Sequence, residues 1–462
     1  MLEFIKGINN ILLNFVLVFL LCGTGVYFTF KLKFVQVKKF KQSFKMTFGK
    51  IKFGKEAGAD GMSSFQSLAT AIAAQVGTGN LAGAATAIAS GGPGAIFWMW
   101  VSAFFGMSTV FAEATLAQEY KTKVDGQVTG GPAYYLSRGL KNKKLGKWLA
   151  GIFAVLIILA LGFIGNMVQS NSIGVAFKSA FNIDARIVGV IVAILAGLIF
   201  VGGVKRIASF TEKVVPIMAL FFIIGSLVII VMNYINIIPA FKMIFVGAFK
   251  PQAILGGALG ATIKKAVRYG VARGLFSNEA GMGSTPHAHA VAKVNHPAEQ
   301  GLVAMMGVFI DTFVILTLTA LVILTTGVLG TTNAAGEIIT GIELTQNAFA
   351  VGMGSFGGVF IAIALFFFAF STIIAWYFFG ETNIKYLFGS KAVIPYRILV
   401  MIFVFLGSCM KVNLVWELAD TFNGLMVLPN LVGLLALSSI VKKRYNEFLE
   451  GKNLGLKNDL DI

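Results

Sequence analysis

The sequence predicts an all-α integral membrane protein of eleven transmembrane helices, and three observations predict it. Of the 462 residues, 57% are hydrophobic and only 13% charged, well below the roughly 25% charged of a soluble domain. Apolar runs of the length a helix needs to cross a bilayer, about 20 residues, recur along the chain. Between them, Lys and Arg gather in alternate connecting loops, the bias that marks cytoplasmic loops. The net charge of +18 therefore belongs to membrane topology and excludes a nucleic-acid-binding reading.

The first span covers residues 9–30 and lacks a small-residue cleavage site, so it reads as a retained helix and not a signal peptide. Lys31, Lys33, Lys38, Lys39, Lys41, Lys45, Lys50, Lys52 and Lys55 follow, interleaved with Phe34, Phe40, Phe44, Met46, Phe48 and Phe53. That mixture predicts an interfacial helix lying on anionic membrane lipid, in preference to a solvated loop. The stretch is expected to be cytoplasmic, with the amino terminus outside. The second span is 67–90, and Gly91-Gly92-Pro93-Gly94 turns it into the third, 94–118. Loop 119–147 is rich in Lys and Arg, hence cytoplasmic, and its Gly130-Gly131-Pro132 predicts a short helix begun at the proline. Spans 148–176, 186–203 and 211–235 come next, with Lys205 and Arg206 inside, and 236–260 reads as an external loop with a short helix.

The seventh span is 261–285, after which His287, His289, Lys293 and His296 mark a cytoplasmic loop. Span 300–327 leads to connector 328–350, whose only charges are Glu337 and Glu343, as an external segment would have. Spans 356–380, 393–410 and 413–441 complete the set, ending at Lys442-Lys443-Arg444 and a cytoplasmic tail. Asn423-Gly424 and Pro429-Asn430 leave open whether 413–441 is one helix or two. The expected organisation is an extra segment 1–62, a ten-helix core 63–441 and a tail 442–462. Ten core spans divide into halves of five, about 63–240 and 255–441. Because five is odd, the halves must insert with opposite topology, which is an inverted repeat.

Each half opens with a span broken by glycine. In Ala73-Ala74-Gln75-Val76-Gly77-Thr78-Gly79-Asn80, two mid-span glycines each cost a helix about 1 kcal/mol relative to Ala. Its counterpart is Gly274-Leu275-Phe276-Ser277-Asn278-Glu279-Ala280-Gly281-Met282-Gly283-Ser284. Irregular backbone at membrane depth is tolerated only where it lines a cavity, and paired broken spans mark the central site of a secondary transporter. The blander reading is close helix packing, since Gly79 and Gly83 form a GxxxG. No strand–helix–strand unit surrounds Gly77-x-Gly79, so a dinucleotide site is excluded.

Residues 63–440 resemble the alanine or glycine:cation symporter family, within the amino acid–polyamine–organocation superfamily and its LeuT-type fold. The runs Gln75–Gly83, Gly130–Tyr135 and Gly274–Gly283 carry the resemblance. It implies a 5+5 inverted repeat with discontinuous first and sixth core helices, preceded here by one extra helix. It further implies sodium-coupled uptake of L-alanine, D-alanine or glycine across the plasma membrane, with sodium co-transported and no cofactor. In that arrangement one sodium lies between the first broken helix and the eighth core helix. Here Ala73 and Val76 would supply carbonyls and Ser371 and Thr372 hydroxyls, although Ser and Thr in helices usually bond back to the preceding turn. A second ion position would use Asn80, Ser277 and Asp311.

The chemistry of an amino-acid zwitterion assigns further residues. A restarting half-helix offers free N–H groups and positive partial charge for a carboxylate, here at Thr78 and Gly79 beside Gln75. A half-helix carboxyl end offers carbonyls for ammonium or sodium, here at Phe276 and Ser277. Gly281 and Gly283 are expected to leave room for the side chain, and Gln169 to bond substrate or a neighbouring helix. Thr372 and Trp376, four apart, share a helix face, and Trp376 sits too far from either span end for an interface anchor. It reads as a pocket wall against large side chains. A carboxylate within a span is functional by default, so Asp311 is expected to bind sodium or carry a proton. Glu279 invites the same reading, or caps the helix that restarts after it. Glu113, Glu417 and Asp420 are candidates for pairing with Arg273 or Lys411.

Other classes fit less well. His287 and His289 have i, i+2 spacing, which does not put two imidazoles on one helix face, and no Glu-x-x-His element joins them. Cys22 and Cys409 lie far apart in apolar spans and suggest neither disulfide nor metal. No triad-like pattern supports an enzyme. A channel and a proton-coupled carrier working through Asp311 or Glu279 are the surviving alternatives.

Overall fold

The computed structural model describes residues 2–49, 61–250, 262–333, 335–410, 412–452 and 454. Lys50, Lys52, Phe53, Lys55 and Lys411 fall outside them, as does the end of the expected 236–260 loop. Helix α1 (Leu2–Ile11) passes through a wide-turned stretch, Leu12–Leu21, into α2 (Cys22–Lys31). After α3 (Val35–Lys38) comes α4 (Phe40–Phe48), which lies against the bundle. Ser43 Oγ donates to the Leu302 carbonyl at 2.5 Å and Phe40 meets Phe309 edge-on, while Phe44 and Phe48 face outward beside Lys41 and Lys45.

Helix α5 (Ser64–Gln75) starts in a reciprocal cap, Ser63 with Gln66, which satisfies two free amide donors at the helix start. It stops at Gln75; the chain resumes as a wide turn, Gly79–Gly83, and continues as α6 (Ala84–Gly91). Long α7 (Gly94–Glu119) follows. Strands β1 (Thr122–Val124) and β2 (Gln127–Thr129) then pair antiparallel, with Thr122 opposite Thr129. This hairpin was not expected in the basic loop. Its origin is the Asp125-Gly126 turn, with φ of 49° and 73°, the mirror-image turn that matches strand twist. Helix α8 (Pro132–Gly139) begins at the proline, as its sequence implies.

Next come α9 (Lys143–Ile157), a wide-turned Ile158–Gly165 and α10 (Asn166–Phe181), forming one rod. Helices α11 (Ala185–Val201), α12 (Gly203–Met232) and α13 (Ile237–Phe249) follow. Then come α14 (Ile263–Asn278), an irregular turn and α15 (Pro286–Ala290). Helix α16 (Pro297–Val308) continues through a wide-turned Phe309–Leu316 into α17 (Thr317–Thr325). The expected outer connector holds α18 (Gly341–Met353), followed by α19 (Ser355–Phe388), α20 (Val393–Cys409), α21 (Val412–Ala436) and α22 (Ser438–Leu449). Helix α21 runs unbroken through Asn423-Gly424 and keeps Pro429 inside it; packed neighbours make such a proline tolerable in a membrane helix. Helix α22 crosses the expected 441/442 boundary.

Seven helices among the described residues are long and apolar enough to cross a membrane: 94–119, 143–181, 203–232, 297–325, 355–388, 390–409 and 414–436. Segments 18–31, 185–201 and 234–249 are shorter apolar helices. The two glycine-broken spans fall short for the reason that defines them, an interruption at mid-length. Both are buried at the centre, with α7 packed against α14 and α16, and α10 against α19 and α20. A backbone clasp joins their ends: the Met62 amide donates to the Val291 carbonyl at 2.8 Å, and the Lys293 amide to the Met62 carbonyl at 2.9 Å.

Candidate functional site

The site forms where the two broken helices cross. Val76, φ −84° and ψ 87°, has left the helical region, and Gly77 follows because nothing larger fits. A Cβ on Gly77 would stand 2.5 Å from Thr372 Oγ1 and 3.1 Å from Gln169 Oε1. At Gly79 it would stand 3.0 Å from Ser277 Cα. The interruption is held by its own Asn80 and by Gln169 of α10. Asn80 Oδ1 accepts from the Gly77 amide at 3.0 Å, and Gln169 Oε1 from the Thr78 amide at 3.2 Å. Gln75 Nε2 donates to the Asn278 carbonyl at 2.8 Å. Among the described residues, Gln75 Oε1 and Thr78 Oγ1 are buried without a hydrogen-bond partner, a state that costs free energy.

Thr372 joins α19 to the first break. Its Oγ1 donates to the Ala73 carbonyl, 2.8 Å away, and also lies 3.0 Å from Phe368 O. Ser371, the next residue, is rotated to another face; its Oγ bonds the Phe368 carbonyl at 2.9 Å and contacts Met218 Sδ at 3.5 Å. The two hydroxyls therefore do not converge.

Asp311 occupies the wide-turned part of the α16–α17 rod and is fully buried. Its Oδ1 accepts from Asn80 Nδ2 at 2.7 Å and Ser277 Oγ at 2.8 Å, and Oδ2 from Thr312 Oγ1 at 2.7 Å. The structure thus gathers Asn80, Ser277 and Asp311 in one cluster, and Thr312 joins it. Glu279, in the left-handed region at φ 57°, is also buried. Among the described residues its side chain caps no amide: Ser284 Oγ donates to Oε2 and Trp376 Nε1 to Oε1, each at 2.5 Å. Among the described residues, neither carboxylate bonds a Lys, Arg or His.

Trp376 packs tightly on Gly165, where a Cβ would come within 2.6 Å of its ring, and meets Phe276 edge-on at 6.2 Å. Phe276 also touches Trp416, which the sequence reading passed over. Behind it Arg273 lies 5.0 Å from the Trp416 ring and pairs with Asp420 at 2.6 Å and 2.9 Å. Glu417 instead accepts from Asn9 at 2.6 Å.

Gly281 and Gly283 are not beside Trp376. A Cβ on Gly281 would meet Leu21, Thr109 and Leu431, and one on Gly283 would meet Phe153 and Pro132. Their positive φ values, 84° and 81°, turn their amides onto Glu113, at 3.1 Å and 2.9 Å. Asn430 Nδ2 adds a third donor to Glu113 at 2.7 Å, and Tyr135 bonds Asn430 Oδ1. Glu113 is thus the acceptor for a turn, not the ion-pair partner expected of it. The clue was two amides freed by Gly-x-Gly opposite a lone membrane carboxylate. His287 lies against Phe153 and Phe379 and bonds Asn383, His289 meets Gln300, and His296 caps α16. The three histidines do not converge.

A crossing of two broken helices is where many secondary transporters build their substrate and ion sites. The model of the sodium:alanine symporter family matches residues 1–461. The chain belongs to the sodium:alanine symporter family. Like that family's members, it is a multi-pass, cation-coupled amino acid transporter and not an enzyme. Within the family it is 44% identical to the sodium/alanine symporter AgcS of Methanococcus maripaludis, over 98% of each chain. It is 42% identical to the "Probable sodium/glutamine symporter GlnT" of Bacillus subtilis, covering 98% of this chain and 92% of that one. The fold is shared with MhsT, solved with L-phenylalanine, at a TM-score of 0.55 and 13% identity, over 86% of this chain and 100% of MhsT. MhsT adopts the LeuT-type transporter fold that the resemblance implied.

Proposed function

We propose that the protein carries alanine and glycine into the cell by sodium-coupled symport with alternating access. The observation that carries this reading is the contact of Thr372 Oγ1 with the Ala73 carbonyl. It brings two hard oxygens from two helices together beside Val76, whose carbonyl would be the third. A hard cation takes oxygen ligands, and an ion here would link α5 to α19. Ser371 would join only after turning away from Phe368. Asn80, Ser277 and Asp311 form the second candidate ion position: Asp311 and Ser277 offer oxygens around an uncompensated carboxylate, and Asn80, whose Nδ2 faces Asp311, would add its oxygen only by turning it from the Gly77 amide.

The substrate carboxylate would take the Thr78 and Gly79 amides, with Gln169 as the residue it displaces or joins. The ammonium would use the Phe276 and Ser277 carbonyls and the orphan Gln75 oxygen. Thr372 would contact both substrate and ion. Phe276 and Trp376 would close the side-chain end, and Gly281 would act through its amide on Glu113. The relatives' names span alanine and glutamine, so pocket size carries the preference for small substrates here. Eleven crossings remain our reading: the seven long helices, the amino-terminal rod, 185–201 and the two broken spans. Ten of them form inverted halves over 63–441, with the amino terminus outside.

The buried, uncompensated state of Asp311 and Glu279 supports a second reading, proton coupling. Binding of radiolabelled alanine to the purified protein, with sodium replaced by choline at fixed pH, separates the two. Alanine binding should require sodium and be displaced by glycine but not by leucine or phenylalanine. Equal displacement by leucine refutes the small pocket. Binding that ignores sodium but follows pH puts Asp311 or Glu279 first.

A further inference from the structure

We propose that the protein holds an anionic phospholipid between its amino-terminal rod and helices α21 and α22, with the acyl chain in a groove and the phosphate on three lysines. Along the rod, Leu20, Thr24, Tyr27 and Lys31 fall at i, i+4, i+7 and i+11, one stripe that spans about 16 Å at 1.5 Å per residue. Leu428, Val432 and Leu435 run beside it on α21, and Ser439 and Lys442 continue that line on α22. Leu20, Thr24, Leu428, Val432 and Leu435, with α9's Leu149, line an apolar groove of about 420 Å³. Past its end, Lys31, Ser439, Lys442, Lys443 and Lys452 line a basic cleft. Both helices therefore change in the same sense, from apolar through hydroxyl to ammonium, which is the order of groups along a phospholipid.

The cleft's positive charge is open. Lys31 Nζ is positioned by neutral groups, Tyr27 OH at 2.6 Å and Ser438 Oγ at 2.7 Å. Of the cleft's carboxylates, Glu447 is bonded to Arg444 and Glu450 to Lys452. Among the described residues, none pairs with Lys31, Lys442 or Lys443. The groove's wall is open as well: Leu20, Val432 and Leu435 are each more than 40% exposed. In a bilayer those side chains meet acyl chains, and the lysines at their end select the headgroup by charge, as juxtamembrane basic clusters do. A zwitterionic head places an ammonium of its own against the lysines and fits worse.

Native mass spectrometry of the delipidated, full-length protein tests this with phosphatidylglycerol and phosphatidylcholine at equal concentration. One phosphatidylglycerol should bind about tenfold or more tighter than phosphatidylcholine. The Lys31→Gln, Lys442→Gln, Lys443→Gln triple variant should lose that preference, and Leu435→Trp, which fills the groove, should weaken both lipids. Matching size-exclusion profiles establish that the variants are folded. Equal binding of the two lipids, or a preference that survives the triple change, overturns the proposal. So does displacement by water-soluble glycerol phosphate, which would make the cleft a free-anion site. A preference that appears only after deleting residues 455–462 makes the acidic tail the occupant and also overturns it.

Discussion

At the residue scale, the site is defined by what cannot be added to it. Gly77 sits where a single methyl would press on Thr372 Oγ1 and Gln169. Such overpacking costs about 1–3 kcal/mol, which is roughly ten- to a hundredfold in affinity. Gly77→Ala should therefore raise the alanine concentration for half-maximal uptake by that factor while the protein remains monodisperse in size exclusion. Unchanged uptake would mean that Gly77 is only a packing glycine. The placement of Gly77, Thr372 and Asp311 beside the interruptions was legible in the sequence, because glycines and carboxylates inside a span break the rules of an apolar helix. Which hydroxyl of Ser371-Thr372 turns to Ala73 was not. Adjacent helical residues differ by about 100° in direction, and only the packing of α19 on α5 and α12 decides between them.

At the scale of elements, the two interruptions are held differently. The first is pinned by single bonds from Asn80 and Gln169. The second is gathered by Glu113, which accepts from Gly281, Gly283 and Asn430. Removing that acceptor leaves three buried donors unmatched, at about 1–3 kcal/mol each. Glu113→Ala should lower the thermal unfolding midpoint of the detergent-purified protein clearly more than Glu113→Gln, which keeps one acceptor oxygen. Equal losses would show that Glu113 fills space and organises nothing. Three of the wide-turned stretches, Gly79–Gly83, Ile158–Gly165 and Phe309–Leu316, flank this crossing; such turns recur at functional sites. Helix positions were readable from apolar runs and lysine clusters, and the Pro132 start from its own chemistry. The 122–129 hairpin and the continuity of α21 past Pro429 were not, since a two-residue turn hides in a charged loop and tertiary contacts overrule a proline. Glu113 was misjudged because the expected partner was a cation and the actual partners are two backbone amides and an asparagine, which leave no charge signature in a sequence.

At the scale of the whole molecule, orientation and coupling each have a direct test. With Cys22 and Cys409 replaced by serine, Glu337→Cys should react with an impermeant thiol reagent added to intact cells, and Lys144→Cys should not. Both positions are exposed, so the reverse pattern would invert the topology. The central claim is that sodium, held between Ala73 and Thr372, drives alanine inward. It is tested most directly by alanine uptake into proteoliposomes under an imposed inward sodium gradient, with pH equal on both sides and clamped by a protonophore. Uptake should be concentrative and depend on sodium. Thr372→Ala deletes one oxygen ligand to a charge, a loss of about 1.5–3 kcal/mol. The sodium concentration for half-maximal uptake should therefore rise roughly ten- to a hundredfold. Uptake that proceeds without sodium and is abolished by the protonophore, or a Thr372→Ala variant with unaltered sodium dependence, would contradict the account.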